Sequence, residues 1–175
     1  MDYRTQEVEV RDHLFDDDGR IPNNPKLPLL IYQRALGEDD LSPSRCKELL
    51  AQHGWAGAWV NSVFSYHHYH STSHEVLVVV GGEARLTFGG LEGETVEVEA
   101  GDAVVIPAGV GHCNEGSSGD FSMIDAYPRG QESYDLRTGE EGERPQVLDN
   151  IRNAYLPKTD PLFGEEGSLL RYWSK

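Results

Sequence analysis

Apolar residues along this chain recur mostly at every second position, the spacing of strands with one buried face. Val8 and Val10 alternate with Glu7 and Glu9, and an apolar extended segment runs from Leu27 to Gln33. Val76 to Val80 is an unbroken apolar run. Ala84, Leu86 and Phe88 then alternate with Glu83, Arg85 and Thr87, and Val96, Val98 and Ala100 with Glu97 and Glu99. Ala103 to Ile106 and Phe121 to Tyr127 complete the set of predicted strands. Glycine turns separate them. Gly81-Gly82 reads as a two-residue hairpin between its flanking strands, and Gly89 to Gly93 and Gly101-Asp102 mark the next turns. One segment breaks the pattern. Ser42 and Pro43 form a helix start, Cys46, Leu49, Leu50 and His53 follow at helical spacing, and Gly54 is a stop. This is expected to be the only substantial helix, ahead of strands that begin near Ala58. The chain turns irregular and charged from Pro128 to Pro145. Its last residues hold Phe163, Leu169, Leu170, Tyr172 and Trp173, a tail apolar enough to dock on the domain. The fold class expected is all-β, an antiparallel sandwich or closed jelly roll.

At 175 residues and 38% hydrophobic content the chain suits one domain with a single core. Thirty Asp and Glu against fifteen Lys and Arg give a formal charge of −15, which repels nucleic acid and anionic membrane surfaces. Neither is expected as a partner. Cys46 and Cys113 are too few for a disulfide framework and are expected reduced. The segment Met1 to Glu7 has no apolar stretch of the signal-peptide kind, and no run approaches the ~20 apolar residues of a membrane span. A cytoplasmic location is the expectation.

The candidate chemistry lies in His67-His68-Tyr69-His70-Ser71-Thr72-Ser73-His74-Glu75, which holds four of the seven histidines. In an extended segment His68 and His70 share one face, while His67 and Tyr69 take the other. Imidazole and carboxylate together suit a divalent transition metal, so Glu75 and the later His112 join the candidate ligands. His74 falls on the opposite face from Glu75. His67 reads as a surface or interface residue, Cys113 as packing, and His13 and His53 as ordinary core or surface histidines. Tyr66 shares the parity of His68 and is the candidate catalytic residue, pointing into the barrel, unless its hydroxyl merely finds a backbone partner. Asp125 shares a face with Met123 and Tyr127; it either supports a ligand histidine from behind or points outward.

Two spaced motifs carry a family resemblance. His68, His70, Glu75 and Gly82 reproduce the first cupin motif, except that Ser62 stands where its leading glycine belongs. Gly101, Pro107, Gly109 and His112 reproduce the second, with its asparagine displaced to Asn114. The chain therefore resembles the cupin superfamily of single-domain bacterial proteins. The flanks Ile21-Pro22-Asn23-Asn24-Pro25 and Tyr66 to Ser71 are similar to a YjlB-like subgroup. The resemblance implies a double-stranded β-helix over 1–175, with a motif core at about 60–127, N-terminal strands and a helix in 1–57, and a C-terminal docking extension in 128–175. It also implies one divalent metal per chain (iron, manganese, zinc, nickel or copper) held by His68, His70, Glu75 and His112. The function implied is a small-molecule enzyme, a dioxygenase or isomerase of an oxygen-rich substrate; the alternative is a non-catalytic binding or sensor protein. Relatives pair, so a homodimer through the N-terminal strands is expected. With an ordinary histidine pKa of ~6.5, protons are expected to compete with the metal below about pH 6.

Overall fold

The computed structural model describes residues 8–174. The alternation at Glu7 and the character of the Met1–Glu7 segment lie outside the described residues. Among the described residues, nine strands form two antiparallel sheets. The strands are β1 (Glu9–His13), β2 (Leu29–Gln33), β3 (Trp55–Asn61), β4 (Glu75–Gly81), β5 (Glu83–Phe88), β6 (Glu94–Glu99), β7 (Ala103–Ile106), β8 (His112–Ser117) and β9 (Ser122–Pro128). The larger sheet has the order β1-β2-β7-β4-β9-β3, and the smaller has β6-β5-β8.

Alternation decides where each strand residue goes. Leu29 and Ile31 of β2, Leu77 and Val79 of β4, Val104 and Ile106 of β7, and Met123 of β9 face the smaller sheet. They meet Ala84, Leu86, Phe88, Val96 and Val98 from it, which makes the barrel core. The intervening residues Leu30, Tyr32, Val76, Val78, Ala103, Val105, Ile124 and Ala126 form a second core on the back of the larger sheet. Burial on both faces explains why β4 and β7 read as unbroken apolar runs. The back core is closed by helix α1 (Pro43–Gln52), through Cys46 and Leu50, and by the C-terminal residues Leu162, Phe163, Leu169 and Trp173.

Helix α1 begins as its sequence dictates. Ser42 Oγ accepts the Arg45 N–H at 3.2 Å, Pro43 takes the first turn, and Gly54, at φ +79°, follows the end. It is not the only substantial helix. Helix α2 (Gln146–Asn153) buries Val147 and Ile151, which are one helical turn apart, and Val147 packs with Ile21 and Tyr69. A short helix α3 (Leu169–Tyr172) ends the described chain. No helix among the described residues is long and apolar enough to cross a membrane.

The hairpin expected at Gly81-Gly82 does not form. Strand β4 pairs with β7 and β9, whereas β5 pairs with β6 and β8, so this dipeptide is a corner where the chain changes sheets. The corner presses against the turn before β9: a Cβ on Gly82, whose φ is +69°, would stand 2.6 Å from the Phe121 nitrogen. Glycine is required here by closeness and backbone sign rather than by a tight hairpin.

The tail is tied down by polar groups as well as apolar ones. Asp160 is fully buried, and its carboxylate accepts from Tyr32 OH (2.5 Å) and from the backbone N–H of Leu162, Phe163 and Leu169 (2.8–3.1 Å). The Trp173 indole N–H donates to the Pro28 carbonyl at 2.9 Å.

Candidate metal centre

The histidine run is not a regular strand. Residues 62–74 are largely irregular, with one bridge to β8, His68 to His112, and one to the stretch after β9, Tyr69 to Arg137, and β4 begins only at Glu75. In the first bridge His68 and His112 exchange both backbone hydrogen bonds, at 3.1 and 2.8 Å, which sets their rings side by side with centroids 4.1 Å apart. Local alternation survives across the bridge. His68 and His70 turn into the barrel, and Tyr69 turns out, fully buried, with its hydroxyl on Glu143 at 2.5 Å.

Each of the three inward imidazoles is held by its Nδ1–H. His68 donates to the Tyr66 carbonyl (2.9 Å), His70 to the Asp135 carbonyl (2.5 Å) and His112 to the Val110 carbonyl (3.2 Å). A proton fixed on Nδ1 leaves the Nε2 lone pair free, and one atom from each ring lies within 4.8 Å of the others. Glu75 completes the set: its Oε1 is 3.4 Å from His112 Nε2 and 3.7 Å from His70 Nε2. That oxygen is buried and has no hydrogen-bond partner. Lone pairs converging on an unpartnered carboxylate oxygen repel one another unless a cation or a proton stands between them. The donor set fits a divalent metal, and the buried histidine group is capable of binding one.

Electrostatics agree with that chemistry. Burial lowers His68 to about 4, and lowers His70; burial together with the facing imidazoles of His68 and His70 holds His112 well below the usual histidine range. All three are neutral at pH 7, the form that binds metal. Burial therefore moves imidazole protonation to lower pH than the ordinary histidine value. Burial and the neighbouring Asp125 push Glu75 well above the usual carboxylate range.

Behind Glu75, the Tyr127 hydroxyl lies 3.3 Å from its Oε2 and 3.4 Å from Asp125 Oδ2, and the Asn61 amide donates to the same Asp125 oxygen at 3.2 Å. Asp125 thus backs the carboxylate rather than a histidine. The cavity has about 50 Å³ of free space. Phe64 and Tyr134, each close to half exposed, stand at its mouth, and Tyr134 stacks on Tyr127 with centroids 4.6 Å apart.

Tyr66 is not among the lining residues. It is 44% exposed, stacks on Phe64, and its hydroxyl does not enter the barrel; it contributes its backbone carbonyl to His68. The parity argument fails there because residues 62–67 are irregular. His74 also stays outside: its Nδ1 accepts the Ala108 N–H at 2.9 Å and its ring lies against Trp173. It helps hold the 107–111 loop that delivers His112. Asn23 and Asn24 hold the same loop, through the Gly111 N–H at 3.1 Å and the Ala108 carbonyl at 3.0 Å. Gly109, at φ +93°, fits under the Asn23 carbonyl, where a Cβ would come within 2.6 Å. Sequence reasoning missed Tyr134, Asn61 and the orienting role of Asp135. Tyr134 and Asp135 lie in the aperiodic stretch after Pro128, where no pattern marks them.

Two sheets closed around an inward histidine cluster define a cupin barrel, and the family model for the cupin domain matches residues 59–127. The chain belongs to the cupin family. It is 46% identical over 169 residues to the uncharacterized protein YjlB of Bacillus subtilis (strain 168), an alignment covering 97% of this chain and 99% of that protein. Among solved structures, it is similar to acireductone dioxygenase from Bacillus anthracis with a cadmium ion in its active centre. That match has 18% identity and TM-score 0.39, and covers 72% of this chain and 82% of the other. A conserved double-stranded β-helix protein from Klebsiella pneumoniae matches at 15% identity and TM-score 0.36, over 77% of this chain and 81% of that one.

Proposed function

We propose that this cupin is a metal-dependent small-molecule enzyme, a dioxygenase or an isomerase of an oxygen-rich substrate, with one divalent metal held by His68, His70, Glu75 and His112. The observation that carries the reading is the convergence of three neutral imidazoles, each oriented by a backbone carbonyl, on the unpartnered Glu75 Oε1. A divalent ion there supplies Lewis-acid activation of a bound oxygen atom and, if redox-active, access to dioxygen chemistry. The carboxyl groups of Glu75 and Asp125 share the Tyr127 hydroxyl, and with Glu75 on the metal, Asp125 and Tyr127 would hold the proton that a substrate hydroxyl or α-carbon exchanges. The Asn61 amide fixes Asp125, and Phe64 with Tyr134 shields the mouth from water.

Among the described residues, those lining the cavity include no Lys or Arg, while Glu75 and Asp125 face it. A polyanionic substrate would lack a countercharge other than the metal. A small neutral hydroxy-carbonyl compound suits the site better, with a size bounded by the 50 Å³ cavity plus whatever the mouth residues release.

That small volume also favours a second reading, a binding or sensor protein that captures a small ligand on the metal. The test is to load the chelated protein with Fe²⁺ or Mn²⁺ and offer small hydroxy ketones and diols, following oxygen uptake and proton NMR, with His112→Ala alongside. Turnover confined to the loaded wild type supports the enzyme. Saturable binding without turnover supports the sensor, and neither in fully loaded protein overturns both. We further propose a cytoplasmic homodimer. Among the described residues β1 and β3 are the edge strands of the larger sheet, and self-association would cover such edges. Light scattering that gives 19.5 kDa at micromolar concentration would contradict the dimer.

A further inference from the structure

The bridge that points His68 and His112 inward points their chain neighbours outward. His67 and Cys113 are directly opposed across the same antiparallel pair, and Glu115 follows Cys113 by two residues on β8. One ligand atom from each of His67, Cys113 and Glu115 lies within 4.8 Å of the other two. Cys113 is 2% exposed and its Sγ donates to Glu115 Oε1 at 3.1 Å. An independent feature points to a missing partner: His67 Nδ1 is buried and makes no hydrogen bond. Its residue also borders a cavity of about 400 Å³, together with Arg20, Tyr66 and Thr138, which gives an ion a route in.

We infer that His67, Cys113 and Glu115 form a second cation site, on the outer side of the barrel wall, for a thiophilic divalent ion of the zinc type. A thiol, an imidazole and a carboxylate are the donor types that zinc accepts, and three protein ligands leave a fourth position for water or a ligand from the cavity. On binding, the S–H bond of Cys113 breaks, its proton goes to solvent, and a sulfur–metal bond forms with no change of oxidation state. Thiolate and carboxylate together cancel the charge of the ion. The inner site offers only nitrogen and oxygen, so the two sites differ in their preferred metal. An ion at the outer site would tie β8 to the segment that carries His68 and brace the inner ligands from behind.

The test is a cobalt(II) titration of the reduced, chelated full-length protein, read by the near-ultraviolet thiolate-to-cobalt charge-transfer band. The band is expected in the wild type and equally in His112→Ala, which isolates the outer site from the inner one. Zinc should displace it. Cys113→Ser should lose it, with circular dichroism confirming the fold. His67→Asn keeps the thiol and should raise the half-saturating cobalt concentration by about tenfold or more. No band in folded wild type, a band undiminished in Cys113→Ser, or an unchanged half-saturation in His67→Asn overturns the assignment. None of these outcomes bears on metal binding at His68, His70 and His112.

Discussion

Asp160 offers a direct test of how the C-terminal extension is held. Its carboxylate is buried and accepts from four donors: Oδ1 takes the N–H groups of Leu162 and Phe163, and Oδ2 takes Tyr32 OH and the Leu169 N–H. Asp160→Ala leaves all four without their acceptor. A buried donor stripped of its partner costs roughly 1–3 kcal/mol, and water entering the vacated space recovers part of that, so the total should be about 3–5 kcal/mol. For a chain of this length that corresponds to a melting temperature lower by roughly 10 °C. Asp160→Asn keeps Oδ1 and its two backbone bonds. It turns an NH₂ group toward the Leu169 N–H, while the Tyr32 hydroxyl can rotate to accept. Its cost should be about 1–2 kcal/mol. The assay is urea unfolding of the metal-free protein followed by tryptophan fluorescence, which reports on Trp55 and Trp173 in the back core. Alanine and asparagine variants of equal stability, or an alanine variant within ~1 kcal/mol of wild type, would refute the claim that these bonds anchor the tail.

Tyr127→Phe removes the hydroxyl shared by Glu75 and Asp125. Metal affinity should fall about tenfold with little loss of stability, as calorimetric titration of the chelated protein would show. In metal-free protein, the lowered histidines bind fewer protons folded than unfolded, so their contribution is present above about pH 6.5 and is lost as pH falls toward about 4. Glu75 and Asp125 are raised and act with the opposite sign, because their contribution is lost as pH rises through their folded values. Metal-free Glu75→Gln should therefore lose melting temperature more steeply than wild type between pH 6.5 and pH 4, and an equal or shallower slope would contradict the burial argument.

Much of the barrel was legible because its strands alternate and its histidine and glutamate candidates sit at fixed spacings. His68, His70, Glu75 and His112 were all readable, and the structure places all four around one cavity. Features set by tertiary contacts were not legible, beyond the cavity residues already named. Gly81-Gly82 has the composition of a hairpin, and only the pairing of its flanking strands with other partners shows it to be a corner. Strand β8, His-Cys-Asn-Glu-Gly-Ser, has no hydrophobic alternation; it is a strand because β5 and the His68 bridge supply its hydrogen bonds. Tyr66 was placed in the barrel by parity, and parity needs a regular strand that residues 62–67 do not form. The hydroxyl against Glu75 in the cavity belongs to Tyr127, whose shared face with Asp125 the sequence did show.

Metal binding by the histidine cluster is tested by equilibrium binding of Mn²⁺ to chelated protein, read by the loss of the free-ion electron paramagnetic resonance signal. Manganese prefers nitrogen and oxygen donors and so reports on the inner site rather than on the thiol-containing one. Wild type should bind about one Mn²⁺ per chain, and His112→Ala and His70→Ala should bind none at the same concentrations. Full binding by folded His112→Ala would contradict the assignment of these residues as a metal centre.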